Sequence, residues 1–386
     1  MAGAAGAADT AGAFVTELVT GDDAFAGLGP AWARLHERCG TATPFQSHAW
    51  LHSWWLSYGR HGRLRLVVVR HGGELVAVAP LMRVRHPVPA LVPLGGAITD
   101  YGDVLLDDFH AERAANALTA GLAAVARTAL IDFREVRPGG AAERVYDRWH
   151  GPRRRLPDSL CLELPAVPMT ELVARLPPAK AQRVRAKLRK LTALGVRRRV
   201  VPPEEVDGAV HRLLDLHRLQ WQGRKVTPEH LRDRFREHLV RAAGSMVRSG
   251  HAVVTEFRLG PEVVAVDLTL LSRRLAGGYL YGAHPGLRER GADVAVMLLD
   301  AFAEQVGSGL GPGPDPVPGT LSLLRGDEPY KHHWRPEPVV SRRLLLARRR
   351  TAPLLSAVVC DATARQRGKE ALRGWRERED GDGSGT

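Results

Sequence analysis

The chain has 386 residues, 44% of them hydrophobic, and a formal net charge of +13. That composition fills the cores of roughly one to three domains, two being the expectation. No run of about 18 apolar residues occurs, which excludes a transmembrane helix. Cys39, Cys161 and Cys360 are too few and too scattered for a disulfide framework or a zinc cluster; they fit a reducing cytoplasm. The positive balance, carried largely by arginine, suits an anionic partner: nucleic acid, anionic lipid or a phosphorylated cofactor.

Residues 1–13 are Ala/Gly-rich and read as a disordered leader. Phe14–Thr20 reads as a first strand and Pro30–Arg38 as a short helix. Ser47 is placed to cap a helix that Gly59 stops, and Trp50 and Trp54, four apart, share a face of it. The runs Leu64–Arg70 and Leu75–Leu81 form a hairpin around His71-Gly72-Gly73-Glu74. Asp100-Tyr101-Gly102-Asp103 precedes the apolar Val104–Leu106, then come a helix over Glu112–Leu130 and a strand over Ile131–Val136. Gly151–Arg155 reads as a loop and Ser159–Leu164 as a strand.

Four prolines between Pro165 and Pro178 mark a boundary. The expected organisation is a first half over 14–165, a linker over 166–178, a second half over 179–346 and a basic helical extension and tail over 347–386. The helix Ala179–Leu194 has an apolar stripe of Val184, Leu188 and Leu191. Its other positions carry Lys180, Arg183, Arg185, Lys187, Arg189 and Lys190, with no acid among them. It is either a solvated face or a track for the phosphates of a polyanion. Two further helices follow over Val206–Gln222 and His230–Ser249, with His217 and Trp221 four apart on the first.

From His251 the sequence repeats itself. Gly72-Gly73-Glu74-Leu75-Val76-Ala77-Val78 matches Gly260-Pro261-Glu262-Val263-Val264-Ala265-Val266 at five of seven positions. One repeat of this kind points to two copies of one α/β unit. The copies then diverge: Ala79-Pro80 is replaced by Asp267-Leu268. Strict alternation puts Val264, Val266, Leu268 and Leu270 on one face and Asp267 on the other. A carboxylate inside an apolar strand is costly unless it is paired or used. The next strand, Ala276–Gly282, places Tyr279 and Tyr281 on one face. It feeds a turn, Ala283–Asp293, that opens the helix Val294–Val306; the free N–H groups there suit a pyrophosphate, with Arg288 and Arg290 adding charge. After the Gly/Pro-rich loop Gly307–Gly319, Leu321–Trp334 reads LSLLRGDEPYKHHW. A strand end there delivers Asp327, Glu328, Tyr330, Lys331, His332, His333 and Trp334 to one loop. The adjacent histidines face opposite ways and make a poor metal pair. Val339–Leu346 is a last strand.

The segments FQSHAWLHSWW, GGELVAVAPL, TDYGDVLL, LHRLQWQGR and LLRGDEPYKHHW occur in an order that resembles CelD/BcsL-type proteins of the GNAT acetyltransferase superfamily, from about Phe45 to Leu346. The resemblance implies two tandem GNAT-like halves, each a mixed, mostly antiparallel sheet flanked by helices, and kinship with Fem-type ligases that move aminoacyl groups from tRNA. It implies acetyl-CoA or another acyl-CoA as co-substrate, no metal, and an amine acceptor on a small molecule or saccharide precursor. The acyl-CoA site falls on Arg288, Arg290, Gly291 and Ala292, although Asp293 stands where the family pattern has a small residue.

N-acyl transfer needs a base for the amine, an acid for the thiolate and donors for the oxyanion. Asp267 is the candidate base, burial raising its pKa toward the working range; the alternative is a structural Asp bonded to a neighbouring loop. Tyr281, or Tyr279, is the candidate acid. Asp100, Tyr101, His217, Trp221, Asp327, Glu328, Tyr330, Lys331 and Trp334 are the candidate acceptor-binding residues. Two other readings stand beside this one: a Fem-like tRNA-dependent aminoacyl transferase, and a non-catalytic binding protein of the same fold.

Overall fold

The computed structural model describes residues 12–85, 87–220, 227–307 and 319–382. The expectations for residues 1–11, for Trp221, for the loop between 308 and 318 and for the last four residues lie outside the described residues. The first half runs β1 (Phe14–Val19), α1 (Asp22–Gly27), α2 (Gly29–Arg38), α3 (His48–Tyr58), β2 (Leu64–His71), β3 (Glu74–Val84), β4 (Ala90–Pro93), β5 (Leu105–Leu106), α4 (Ala111–Val125), β6 (Leu130–Val136), α5 (Ala141–Arg148) and β7 (Arg153–Pro165). Helices α6 (Met169–Ala174) and α7 (Pro178–Ala193) follow. The second half runs β8 (Val196–Val200), α8 (Val206–Gln220), α9 (Asp233–Arg248), β9 (Ala252–Leu259), β10 (Glu262–Leu271), β11 (Leu275–Ala283), α10 (Gly286–Glu289), α11 (Val294–Gly307), β12 (Thr320–Arg325), α12 (Pro329–His332) and β13 (Glu337–Leu346). Helix α13 (Ala352–Asp382) ends the described chain.

The two halves repeat one plan. In each, a strand, a helical segment and an antiparallel hairpin lead to a fourth strand (β4, β11) that pairs in parallel with the next long strand (β6, β12). The described strands form one mixed, mostly antiparallel sheet in the order β1-β2-β3-β4-β6-β13-β7-β12-β11-β10-β9-β8, with β5 beside β3. The halves trade their last strands. First-half β7 lies against second-half β12, and β13 lies against first-half β6. The exchanged strands pair with each other from Glu337–Glu163 to Leu346–Arg153.

The duplication reaches backbone detail. Each middle strand carries a bulge with a left-handed non-glycine residue, Glu135 (φ 55°) in β6 and Leu324 (φ 57°) in β12. Such conformations cost about 1–3 kcal/mol and cluster where backbone must be re-aimed.

Alternation sends Leu66 and Val68 of β2, and Val266, Leu268 and Leu270 of β10, into one core shared with Trp50, Leu213 and Phe235 of α3, α8 and α9. The opposite faces are covered by α4 and α5 in the first half and by α6, α7 and α11 in the second. Trp50, Trp54 and Trp55 are all core residues, and Ser47 Oγ accepts from Trp50 N at 3.3 Å as the N-cap. Gly282 lets α8 lie directly on β11: a Cβ there would meet the carbonyl of Leu213 and stand 2.5 Å from His217 N.

Several element limits differ from the sequence reading. Helix α4 stops at Val125, and β7 begins at Arg153, inside the expected loop. Bulges also break simple alternation. One at Val264 moves that side chain to the face of Ala265. Another at Tyr279, between the pairs Leu268–Leu280 and Thr269–Gly278, turns Tyr279 away from Tyr281.

Candidate active site

Strands β11 and β12 pair only through Leu275–Thr320, Ala276–Leu321 and Gly277–Ser322. Beyond Gly277 they part. The opening is a pocket floored by Asp267, Gly278, Tyr281 and Ser322, roofed by Leu298, Leu299 and Phe302 of α11, and closed on its third side by Tyr330, Lys331 and Trp334. The Asp267–Tyr281 pair and the RGDEPYK segment therefore meet at one place.

Asp267 is 6% exposed. Its cross-strand partners in register are Thr255 on β9 and Tyr281 on β11. Thr269 Oγ1 donates to its Oδ2 at 2.9 Å, and no cation pairs with it among the described residues. Burial raises its pKa to about 7, against a smaller opposing effect of the Thr269 hydrogen bond. Such a group holds or releases a proton near neutrality. The Tyr281 hydroxyl accepts from Gln220 Nε2 at 3.0 Å, which leaves its own hydrogen available. Gln220 Oε1 in turn accepts from Ala283 N at 3.0 Å, and His217 Nδ1 lies 2.9 Å from the Tyr281 carbonyl. His217 thus braces β11 from α8 and does not reach the pocket, and burial lowers its pKa.

Tyr279 serves the packing between halves. Its hydroxyl donates to Ile98 O at 2.9 Å, and its ring meets Trp50 and Phe45 edge-on. It is no candidate acid.

In the RGDEPYKHHW segment, Gly326 (φ 120°) turns the chain and Pro329 opens the one-turn helix α12. Lys331 is 5% exposed; its Nζ donates to Arg325 O at 3.0 Å and pairs with Glu328 at 2.8 Å. Trp334 is buried, and Tyr330 stands half exposed at the pocket mouth. Asp327 and Glu328 do not line the pocket; Asp327 bonds His332 on the surface. Ser322 is one residue that sequence reasoning missed: it is fully buried in the pocket wall, and its Oγ lies 3.0 Å from Tyr101 Oη. Gln220 was missed too, although it sits within the LHRLQWQGR segment.

The turn before α11 carries Arg288, Arg290 and Gly291 (φ 72°) with Ala292 buried behind them. Asp293 Oδ1 accepts from Val296 N at 3.0 Å, so it caps α11. Lys187 of α7 pairs with the same carboxylate at 2.6 Å. Burial would raise the Asp293 pKa, but Lys187 and the helix N–H groups outweigh it and hold the carboxyl low. A Cβ at Gly291 would run into Lys190 Nζ. The basic face of α7 therefore lies against this turn, and its Lys187 pairs with Asp293 there. No group of three or more potential metal ligands occurs among the described residues.

Asp100 and Tyr101 do not line the pocket. Arg325 Nε donates to Asp100 Oδ1 at 2.5 Å. The buried Tyr101 hydroxyl reaches Glu163 at 3.1 Å, and Arg137 holds that carboxylate with two hydrogen bonds. Gly102 N donates to Glu135 O at 3.0 Å, inside the gap where β4 and β6 part after two residue pairs. Asp103 accepts from Ala141 N at 2.8 Å and Ala142 N at 2.6 Å, capping α5. In the first half the DYGD loop and Arg325 enter the corresponding opening, and a cavity of about 340 Å³ remains there, lined by Leu94, Gly102, Arg134, Glu135 and Arg325.

Residues 179–332 match the model of the acetyltransferase (GNAT) domain. No curated protein matches the chain. Among solved structures, FemX is similar with a TM-score of 0.59 at 12% identity, over 86% of this chain and 96% of that one. A conserved protein of unknown function from Bacteroides thetaiotaomicron gives 0.56 at 11% identity, over 86% and 100%. L-PGS from Bacillus licheniformis gives 0.52 at 14%, over 86% and 95%. At these identities the likeness is one of fold. Residues 179–332 are a GNAT acetyltransferase domain, and the chain is an acyltransferase built on that fold.

Proposed function

We propose that the chain is an acyl-CoA-dependent N-acyltransferase, of CelD/BcsL type, that moves an acetyl or longer acyl group to the amine of a small molecule or saccharide precursor. The observation that carries this reading is the parting of β11 and β12 beside a buried, cation-free carboxylate that faces Tyr281. A thioester arm lying along β11 would bring its carbonyl to backbone N–H groups freed where the ladder ends. Asp267 takes a proton from the acceptor ammonium or amine, and the nitrogen attacks the carbonyl carbon. As the tetrahedral intermediate collapses, the C–S bond breaks and Tyr281 returns a proton to sulfur. Arg288, Arg290 and the N–H groups around Gly291 and Ala292 hold the cofactor phosphates. Lys187 removes the objection raised by Asp293, because it cancels that charge locally. Tyr330, Lys331 and Trp334 shape the acceptor side.

Calorimetry with acetyl-CoA, followed by CoA release across a panel of amines, tests the reading. Binding and release are expected; neither heat nor CoA release with any amine defeats it. A second reading, aminoacyl transfer from tRNA, is supported by the likeness to FemX and by the exposed arginines of α7. It predicts steeply salt-dependent tRNA binding that is lost when Arg183, Arg185, Arg189 and Lys190 are neutralised, with no heat from acetyl-CoA.

A further inference from the structure

A groove of about 1100 Å³ runs along the first half, and it shares no lining residue with the Asp267 pocket. It lies between the C-terminal part of α4, the loop after α5 and the junction of β13 with α13. Arg127, Arg148, His150, Arg348, Arg349 and Arg350 line it, and no carboxylate does. Two of the arginines are tied into the fold: Arg148 to Glu112 and Asn116, and Arg348 by one N–H to Ala123 O at 2.7 Å. Arg127, Arg349 and Arg350 are exposed and have no carboxylate partner among the described residues. The remaining wall is small or backbone-like, with Thr119, Ala120, Ala123 and Gly151, so a bulky ligand backbone can come close.

We propose that this groove binds the phosphodiester backbone of a nucleic acid. Guanidinium groups are matched to phosphate oxygens, which they grip in pairs. Several arginines spaced along a trough suit a row of phosphates better than one ion. A concave trough admits a strand or helix edge but cannot lie flat on a bilayer. The one indole in the wall, Trp149, is 4% exposed and donates its Nε1–H to Ala347 O, and the only other ring there is the imidazole of His150. Trp149 offers no stacking face and six of the lining side chains are cationic or imidazole groups, so the grip is mainly on backbone and largely indifferent to base sequence. The site does not depend on which donor the acyl pocket takes.

The test is fluorescence anisotropy of the full chain with a labelled duplex of about 20 base pairs, titrated between about 50 and about 200 mM salt. Wild type is compared with Arg127→Ala/Arg349→Ala/Arg350→Ala and, separately, with an α7 variant lacking Arg183, Arg185 and Arg189. The groove variant is expected to bind at least about tenfold more weakly, with the log–log salt slope smaller by about one for each arginine removed. A charge-reversed Arg349→Glu single variant gives the same direction with less risk to folding. The α7 variant is expected to keep most of the affinity. Equal binding by wild type and groove variants overturns the proposal, as does loss confined to the α7 variant. Groove-dependent binding of anionic phospholipid vesicles or inorganic pyrophosphate without duplex binding also overturns it.

Discussion

Asp267→Asn removes a charge that the fold pays to bury, and the cost can be read without knowing the acceptor. The carboxyl moves from its ordinary 3.8 to about 7 in the folded chain. Between those values the folded state keeps the proton and the unfolded state loses it, so stability falls as pH rises and levels off above about 7. At about 1.4 kcal/mol per pKa step, ionised Asp267 costs on the order of 4 kcal/mol at pH 8. Asn is nearly isosteric and still accepts from Thr269 Oγ1. Urea unfolding at pH 5 and pH 8, wild type against variant, is the assay. The variant is expected to lose much of the drop between the two pH values and to be the more stable protein at pH 8. Its CoA-releasing turnover should fall by at least about a hundredfold, and the acid limb of the wild-type kcat/KM profile should rise through about pH 7. Parallel pH dependence of stability in both proteins, or unchanged turnover, would refute the assignment of a buried, titrating base.

Three further expectations follow from the same geometry. Tyr281→Phe should lower kcat about a hundredfold or more with little change in acetyl-CoA affinity; steady-state kinetics and calorimetry separate the two, and unchanged kcat rejects Tyr281 as the acid. Asp293→Asn should tighten acetyl-CoA binding several-fold and Lys187→Ala should weaken it to a similar degree, since each changes one charge beside the phosphates; equal affinities would place the phosphates elsewhere. Gly282→Ala should destabilise by several kcal/mol, because the new methyl meets the backbone of α8 and no flexible side chain can yield; a near-wild-type melting temperature would contradict the close approach of α8 to β11.

Much of the fold could be read from local pattern. The seven-residue hairpin match pointed to the strand plan that both halves share, and Asp267 stood out because a carboxylate interrupts an apolar strand. The Leu321–Trp334 stretch was legible as a strand end with polar cargo. Tyr279 and Tyr281 were not resolved, because a bulge adds one residue and reverses the alternation without a mark in the sequence. The DYGD motif read as a binding loop; the partners of its residues, Arg325, Glu163, the β6 backbone and the N-terminus of α5, lie far along the chain and left no mark in the local sequence. Asp293 read as hostile to phosphate, and its partner Lys187, more than a hundred residues away, could not be read from the local sequence. Trading of β7 and β13 has no local signature at all.

That trade makes the two lobes mutually dependent for closure. Without its counterpart, either lobe would show a bare β6 or β12 flank and carry an unplaced β7 or β13 tail, the arrangement that drives identical chains to clasp one another. Joining both lobes in one polypeptide turns that clasp into an internal event at high effective concentration, so completeness no longer depends on how much protein is present.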